Sequence, residues 1–108
     1  MTMRITGGIW RGRQLRVPPH GVRPAQDRVR LAVFSALGDR IGGARVLDLF
    51  AGTGAYGLEA LSRGAASAVW IESDRLVTRY LRENVAALCG GRADFDREQA
   101  LVCCCDCL

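Results

Sequence analysis

Lysine is absent from the 108 residues; all fifteen basic side chains are arginine. A GC-rich coding sequence would produce that bias, and arginine's planar fork also suits phosphate groups; the two readings are compatible. No apolar run nears the roughly 20 residues that a membrane-spanning helix needs. The opening Met1-Thr2-Met3-Arg4-Ile5-Thr6-Gly7-Gly8 lacks the apolar core of a secretory signal, which points to the cytoplasm. Histidine occurs once, at His20 after two prolines, and reads as exposed loop. Cysteine is odd in number: Cys103, Cys104, Cys105 and Cys107 crowd the last six residues, with Cys89 apart. That is no disulfide framework. Neighbouring cysteines on a strand point to opposite faces, and no second Cys-x-x-Cys pair exists, so no metal site is expected.

What is present suits one small folded domain, with 49% hydrophobic residues to build a core. The formal net charge of +4 is unevenly placed. Residues 1–30 hold seven arginines against the single acid Asp27, and the remaining 78 hold eight against ten acids. A basic N-terminus on a near-neutral body suggests a polyanionic partner.

Residues 3–17 read as two short strands around a turn near Arg11 and Gly12, with Ile5, Ile9, Leu15 and Val17 as apolar positions. Pro18-Pro19-His20-Gly21 breaks regular structure. It marks the expected boundary between an N-terminal arm, residues 1–20, and a main domain, residues 21–108. A helical pattern follows over 26–38, with Val29, Ala32, Val33, Ala36 and Leu37 on one face and Asp27 in the first turn. Residues 46–50 read as a strand buried on both faces. A helix from Tyr56 to Arg63 is stopped by Gly64. Residues 68–72 form a second buried strand, with Trp70 in the core. A third helix over 75–88 carries Leu76, Val77, Tyr80, Leu81, Val85 and Leu88 on its apolar side, and Ala100 to Cys104 reads as a third strand. Alternating strands and helices of this kind signal a parallel α/β sheet.

Between the first strand and the second helix lies Asp48-Leu-Phe-Ala-Gly52-Thr-Gly54-Ala-Tyr-Gly57, a G-x-G-x-x-G turn in its proper context. Glycines there let the backbone turn sharply and approach a ligand closely. Glu72 closes the next strand, twenty positions after Gly52, where a carboxylate can accept hydrogen bonds from both hydroxyls of a ribose. These features alone also fit an NAD-binding unit. Asp48 discriminates between the two. A dinucleotide places its pyrophosphate over the glycine turn, and a carboxylate four residues before the first glycine would repel it. S-adenosylmethionine carries an ammonium and a sulfonium and no phosphate, and a nearby carboxylate suits both cations. The helix preceding the first strand also argues against a dehydrogenase.

With these residues the chain resembles the RsmD family of bacterial 16S ribosomal RNA guanine-N2 methyltransferases. Met3 to Gly8 with Arg11, Gly12, Arg13 and Leu15 is similar to that family's opening hairpin, and Arg23-Pro-Ala-Gln-Asp27-Arg28-Val-Arg30 to its R-P-T-x-D-R-V-R-E signature. VLDLFAGTGAYGLEALSRGA, residues 46–65, is similar to its cofactor motif throughout, and Glu72 and Asn84 sit where similar sequences have them. Ala25, Leu31 and Ser35 depart from the family's Thr, Glu and Asn. Amino-methylating relatives also carry an [N/D]-P-P-[Y/F] motif that binds the target amine. These residues hold none, since Asn84 is not followed by proline and Pro18-Pro19 precedes His20.

The resemblance implies the first half of a Rossmann-like methyltransferase fold, parallel sheet with helices, preceded by a basic β-hairpin arm. It implies an S-adenosylmethionine site lined by Asp48, Phe50, Gly52, Gly54, Glu72 and Asp106. The partner it implies is small-subunit ribosomal RNA or its assembly intermediate, contacted by Arg4, Trp10, Arg11, Arg13, Arg23 and Arg28. The plainer reading of the arm is a solvated basic face. No catalytic residue is assigned, and the alternative is a non-catalytic RNA- or cofactor-binding fragment. The cysteine tail reads either as a divergent third strand, with Asp106 near the adenine amine, or as sequence out of frame. On either reading the chain ends before the substrate half.

Overall fold

The alternating pattern resolves into three parallel strands with helices between them and a small hairpin in front. The computed structural model describes residues 3–19, 27–90 and 99–105. The hairpin pairs β1 (Met3–Arg4) antiparallel with β2 (Gln14–Leu15), with Met3 opposite Leu15. Then come α1 (Asp27–Leu37), a short 3-10 turn (Gly38–Ile41), β3 (Arg45–Leu49), α2 (Ala55–Ser62), β4 (Ser67–Glu72), α3 (Arg75–Cys89) and β5 (Ala100–Cys104). The sheet order is β3-β4-β5, all parallel, with Asp48 beside Trp70 and Trp70 beside Val102. The architecture is the parallel α/β arrangement with a leading hairpin that the sequence implies. No helix among the described residues is long and apolar enough to cross a membrane.

The core centres on Trp70, which is fully buried in the middle strand. Its indole N–H donates to the Gly54 carbonyl at 3.1 Å, satisfying the one polar group of a buried indole. Gly57 lets α2 close onto that ring, because a Cβ there would sit 2.3 Å from Trp70 Nε1. This is the packing role of the third glycine in such motifs. Helix α3 starts at Asp74, whose carboxylate accepts the Val77 N–H at 3.0 Å as an N-cap. It buries Val77, Leu81 and Leu88 against the sheet.

The hairpin shares this core, with Met3, Ile5, Trp10 and Leu15 buried in the same apolar cluster as Leu58, Leu61 and Trp70. Ser62 ties it to α2: its hydroxyl donates to the Gly7 carbonyl and accepts the Trp10 N–H, and its carbonyl accepts the Ile9 N–H. Beneath the hairpin lies a buried ionic junction. Glu59, fully buried, accepts from the N–H groups of Thr6 and Gly7 and from the guanidinium groups of Arg30 and Arg63. Arg30, also fully buried, reaches Asp27 at 2.9 Å and the Arg4 carbonyl as well.

Two expectations are corrected. The apolar face read for α1 is not its buried face. Val29, Ala32, Val33 and Ala36 are exposed and Leu37 is half-buried, while Arg30 and Phe34 point inward. A charged side chain carries no weight in an apolarity pattern, yet here Arg30 is buried because Glu59 and Asp27 meet it. Strand β3 is not buried on both faces either, since Leu47 is 59% exposed and Leu49 is 49% exposed. Apolar side chains declare a buried strand without saying which element covers it, and among the described residues nothing pairs with its outer edge.

Candidate functional site

The glycine turn leaves the carboxyl end of β3 and is held by two carboxylates. Phe50 follows the strand with φ 57°, a left-handed conformation uncommon for a residue with a Cβ, and its ring is 62% exposed. The Ala51 N–H then donates to the Ile71 carbonyl at 2.9 Å, so the turn is stitched to β4. Gly52 and Gly54 take φ of 59° and 87°, the region glycine adopts without steric cost. The Gly52 N–H donates to Glu72 Oε1 at 2.9 Å, and the other Glu72 oxygen accepts the Asp74 N–H at 3.0 Å. On the other side of the turn, Asp48 Oδ2 accepts the Gly57 N–H in the first turn of α2, at 3.2 Å.

The electrostatics of this turn disfavour an anion. Burial pushes the Asp48 carboxyl up to about 6; the Gly57 hydrogen bond opposes the shift, and the nearby Glu72 charge adds to it. A phosphate seated here would meet two carboxylates. It would also find the N–H groups of Gly52 and Gly57, the donors such turns offer to anions, already given to Glu72 and Asp48. An ammonium or sulfonium would relieve the repulsion between the two acids. A carboxylate has about four lone-pair positions, so Glu72 keeps acceptor capacity for hydroxyl groups. Asp48, Phe50, Gly52, Gly54 and Glu72 therefore converge on one turn, while Asp106 lies outside the described residues. Among those described, no group of three or more His, Cys, Asp and Glu side chains is arranged to hold a metal ion.

The basic residues of the arm are placed differently from one another. Arg4, Arg11, Arg13 and Arg28 are exposed. Arg23 lies outside the described residues. Trp10 is a correction: it is only 3% exposed, packed into the core, so its ring is not presented to stack on a base. A buried tryptophan supplies a large apolar area, which here anchors the arm.

Asn84 joins the arm to the turn, a role that position and residue type alone did not show. Its buried side-chain amide accepts the Arg16 N–H at 2.8 Å and donates to the Arg16 carbonyl at 3.0 Å and the Thr53 carbonyl at 2.9 Å. Thr53 lies between the two turn glycines, so one side chain fixes strand β2 against the turn. The Asp27–Arg30–Glu59–Arg63 junction was equally missed. Its only signal in sequence is the i, i+3 and i, i+4 spacing within each helix.

Over residues 3–102 the chain matches the family described as Conserved hypothetical protein 95. The chain belongs to this family, the RsmD family of the sequence reading. It is 54% identical over 92 residues to the ribosomal RNA small subunit methyltransferase D of Escherichia coli strain K12, covering 84% of this chain and 46% of that protein. It superimposes on the solved structure of Escherichia coli yhhF with a TM-score of 0.81 at 46% identity, covering 98% of this chain and 54% of that one. A likeness of fold alone, at 15% identity and a TM-score of 0.65, extends to the tRNA (uracil-54, C5)-methyltransferase of Pyrococcus abyssi, solved in complex with S-adenosyl-L-homocysteine; it covers 98% of this chain and 24% of that one. The RsmD-family chain thus has a Rossmann-like fold and spans about half the length of the curated relatives it matches.

Proposed function

We propose that this chain carries the methyl-donor-binding half of an enzyme that methylates the exocyclic N2 amine of a guanine in small-subunit ribosomal RNA, with S-adenosylmethionine as donor. The observation that carries the reading is the pair of carboxylates, Asp48 and Glu72, flanking a glycine turn whose key N–H groups are already engaged. Such a site fits a cationic nucleoside and disfavours a dinucleotide. The name borne by the Escherichia coli relative supports ribosomal RNA as the substrate.

The donor, when bound, supplies an electrophilic methyl group. Glu72 would hold the ribose hydroxyls, Asp48 would face the cationic end, and Gly52 and Gly54 would let the backbone lie close beneath the ligand. Phe50, at the rim of the turn, would cover it. Arg4, Arg11, Arg13, Arg23 and Arg28 would contact the RNA phosphates. Rate acceleration in such transfers comes mainly from holding donor and acceptor in line. Asn84 serves that end by fixing the arm to the turn. The alternative reading is a chain that binds donor or RNA without catalysing transfer. Transfer of a radiolabelled methyl group to undermethylated small-subunit RNA or particles separates them. Label in guanine N2 with a protein containing this chain supports the proposal, and label in another base contradicts it.

A further inference from the structure

Helix α3 carries a charged face that the donor site does not use. Arg75, Arg79 and Arg82 are all exposed, and their spacing of four and three residues puts them on one side of the helix. The arm lies against the adjoining flank of the helix, which Arg79 borders together with Leu76, Tyr80 and Glu83. Arg16 pairs with Glu83 at 2.9 Å, Arg79 approaches the other oxygen of Glu83 at 4.0 Å, and Arg13 reaches the Ala87 carbonyl at 3.4 Å. Glu83 is the only acid within α3. Between arm and helix lies a polar cleft of about 260 Å³, lined by Arg16, Leu76, Arg79, Tyr80 and Glu83. Five exposed arginines from the arm and the helix thus border this cleft and its rim, with Glu83 within it and Asp74 next to Arg75, and Asn84 locks arm and helix together beneath it.

The geometry points to this surface, formed by Arg13 and Arg16 of the arm with Arg75, Arg79 and Arg82 of α3, as a track for the sugar–phosphate backbone of RNA. The inference rests on the RNA-binding reading above and extends it from the arm to the helix. The side chains fit the task. Arg16 and Arg79 are mostly exposed, 71% and 76%, and the exposed pairs with Glu83 cost little to exchange for phosphate. Arginine's fork takes phosphate bidentately. Phosphate contacts of this kind position an RNA without reading its sequence.

The test is the salt dependence of binding to a labelled fragment of small-subunit ribosomal RNA. It uses the full chain, below concentrations at which it self-associates, with circular dichroism confirming that each variant is folded. The triple variant Arg75→Ala, Arg79→Ala, Arg82→Ala is expected to lower the slope of log affinity against log salt by about two units, at roughly 0.7–0.9 per lost phosphate contact. Glu83→Gln removes the competing carboxylate and is expected to tighten binding and steepen the slope. Arg11→Ala with Arg13→Ala serves as the arm control. A slope lowered by the arm variant and unchanged by the triple variant overturns the helix track and leaves the arm reading standing. A slope unchanged by either overturns both.

Discussion

Asp48 is pulled two ways. Its carboxylate organises the turn through Gly57, yet burial and the nearby Glu72 resist its ionisation and raise it to about 6. A carboxyl with a raised folded value binds its proton more tightly when folded. Stability is therefore greatest while the group is protonated and falls as pH rises from about 4 through about 6. Asn at this position keeps the acceptor oxygen and loses the titration. Thermal midpoints measured from pH 4.5 to 7.5 are expected to fall with rising pH in the parent chain and to vary less in Asp48→Asn. Identical profiles would contradict this account of Asp48. Glu59 has the opposite sign. Burial alone would raise its value, but the hydrogen bonds from Arg63, Arg30 and Thr6 outweigh it and hold the carboxyl below its ordinary value of 4.5. Its contribution to stability is in place above that ordinary value and is lost as pH falls through the lower folded one.

Between elements, Glu59 ties the arm down alongside its buried apolar side chains, because it receives donors from the hairpin, α1 and the end of α2 at once. Glu59→Ala would leave the buried Arg30 with only Asp27 as its acid. The expected cost is about 3–5 kcal/mol in urea unfolding; a loss below 1 kcal/mol would show that the junction is not structural. This junction also marks where sequence reading stops. The strand and helix alternation, the glycine turn and the two flanking acids are legible because each is local: a run, a spacing, a strand end. Burial of Arg30, the anchoring role of Trp10 and the triple contact of Asn84 depend on residues 29 to 68 positions away. No local pattern encodes them. Strand β3 was misjudged for a related reason. Its apolar side chains are real, but among the described residues no element covers Leu47 and Leu49.

For the molecule as a whole, the edge of β3 that no described residue pairs with is the weak point. The outer edge of β3 meets a cleft of about 520 Å³ lined by Val33, Phe34 and Leu37 of α1 together with Val46, Leu47 and Leu49. An unpaired edge beside apolar side chains is a template for association. The 108-residue polypeptide is expected to self-associate with rising concentration in light scattering, and Leu47→Lys with Leu49→Lys to reduce it. Concentration-independent monomers would refute that reading of the edge. Calorimetric titration with S-adenosylmethionine, with NAD as competitor and Glu72→Ala as control, probes the glycine turn as a site for a cationic nucleoside held by Glu72. Binding of S-adenosylmethionine is expected, none of NAD, and a loss in the Glu72→Ala variant of about 1–3 kcal/mol. Binding of NAD in place of S-adenosylmethionine, or affinity for S-adenosylmethionine unchanged by Glu72→Ala, would contradict that role of the turn.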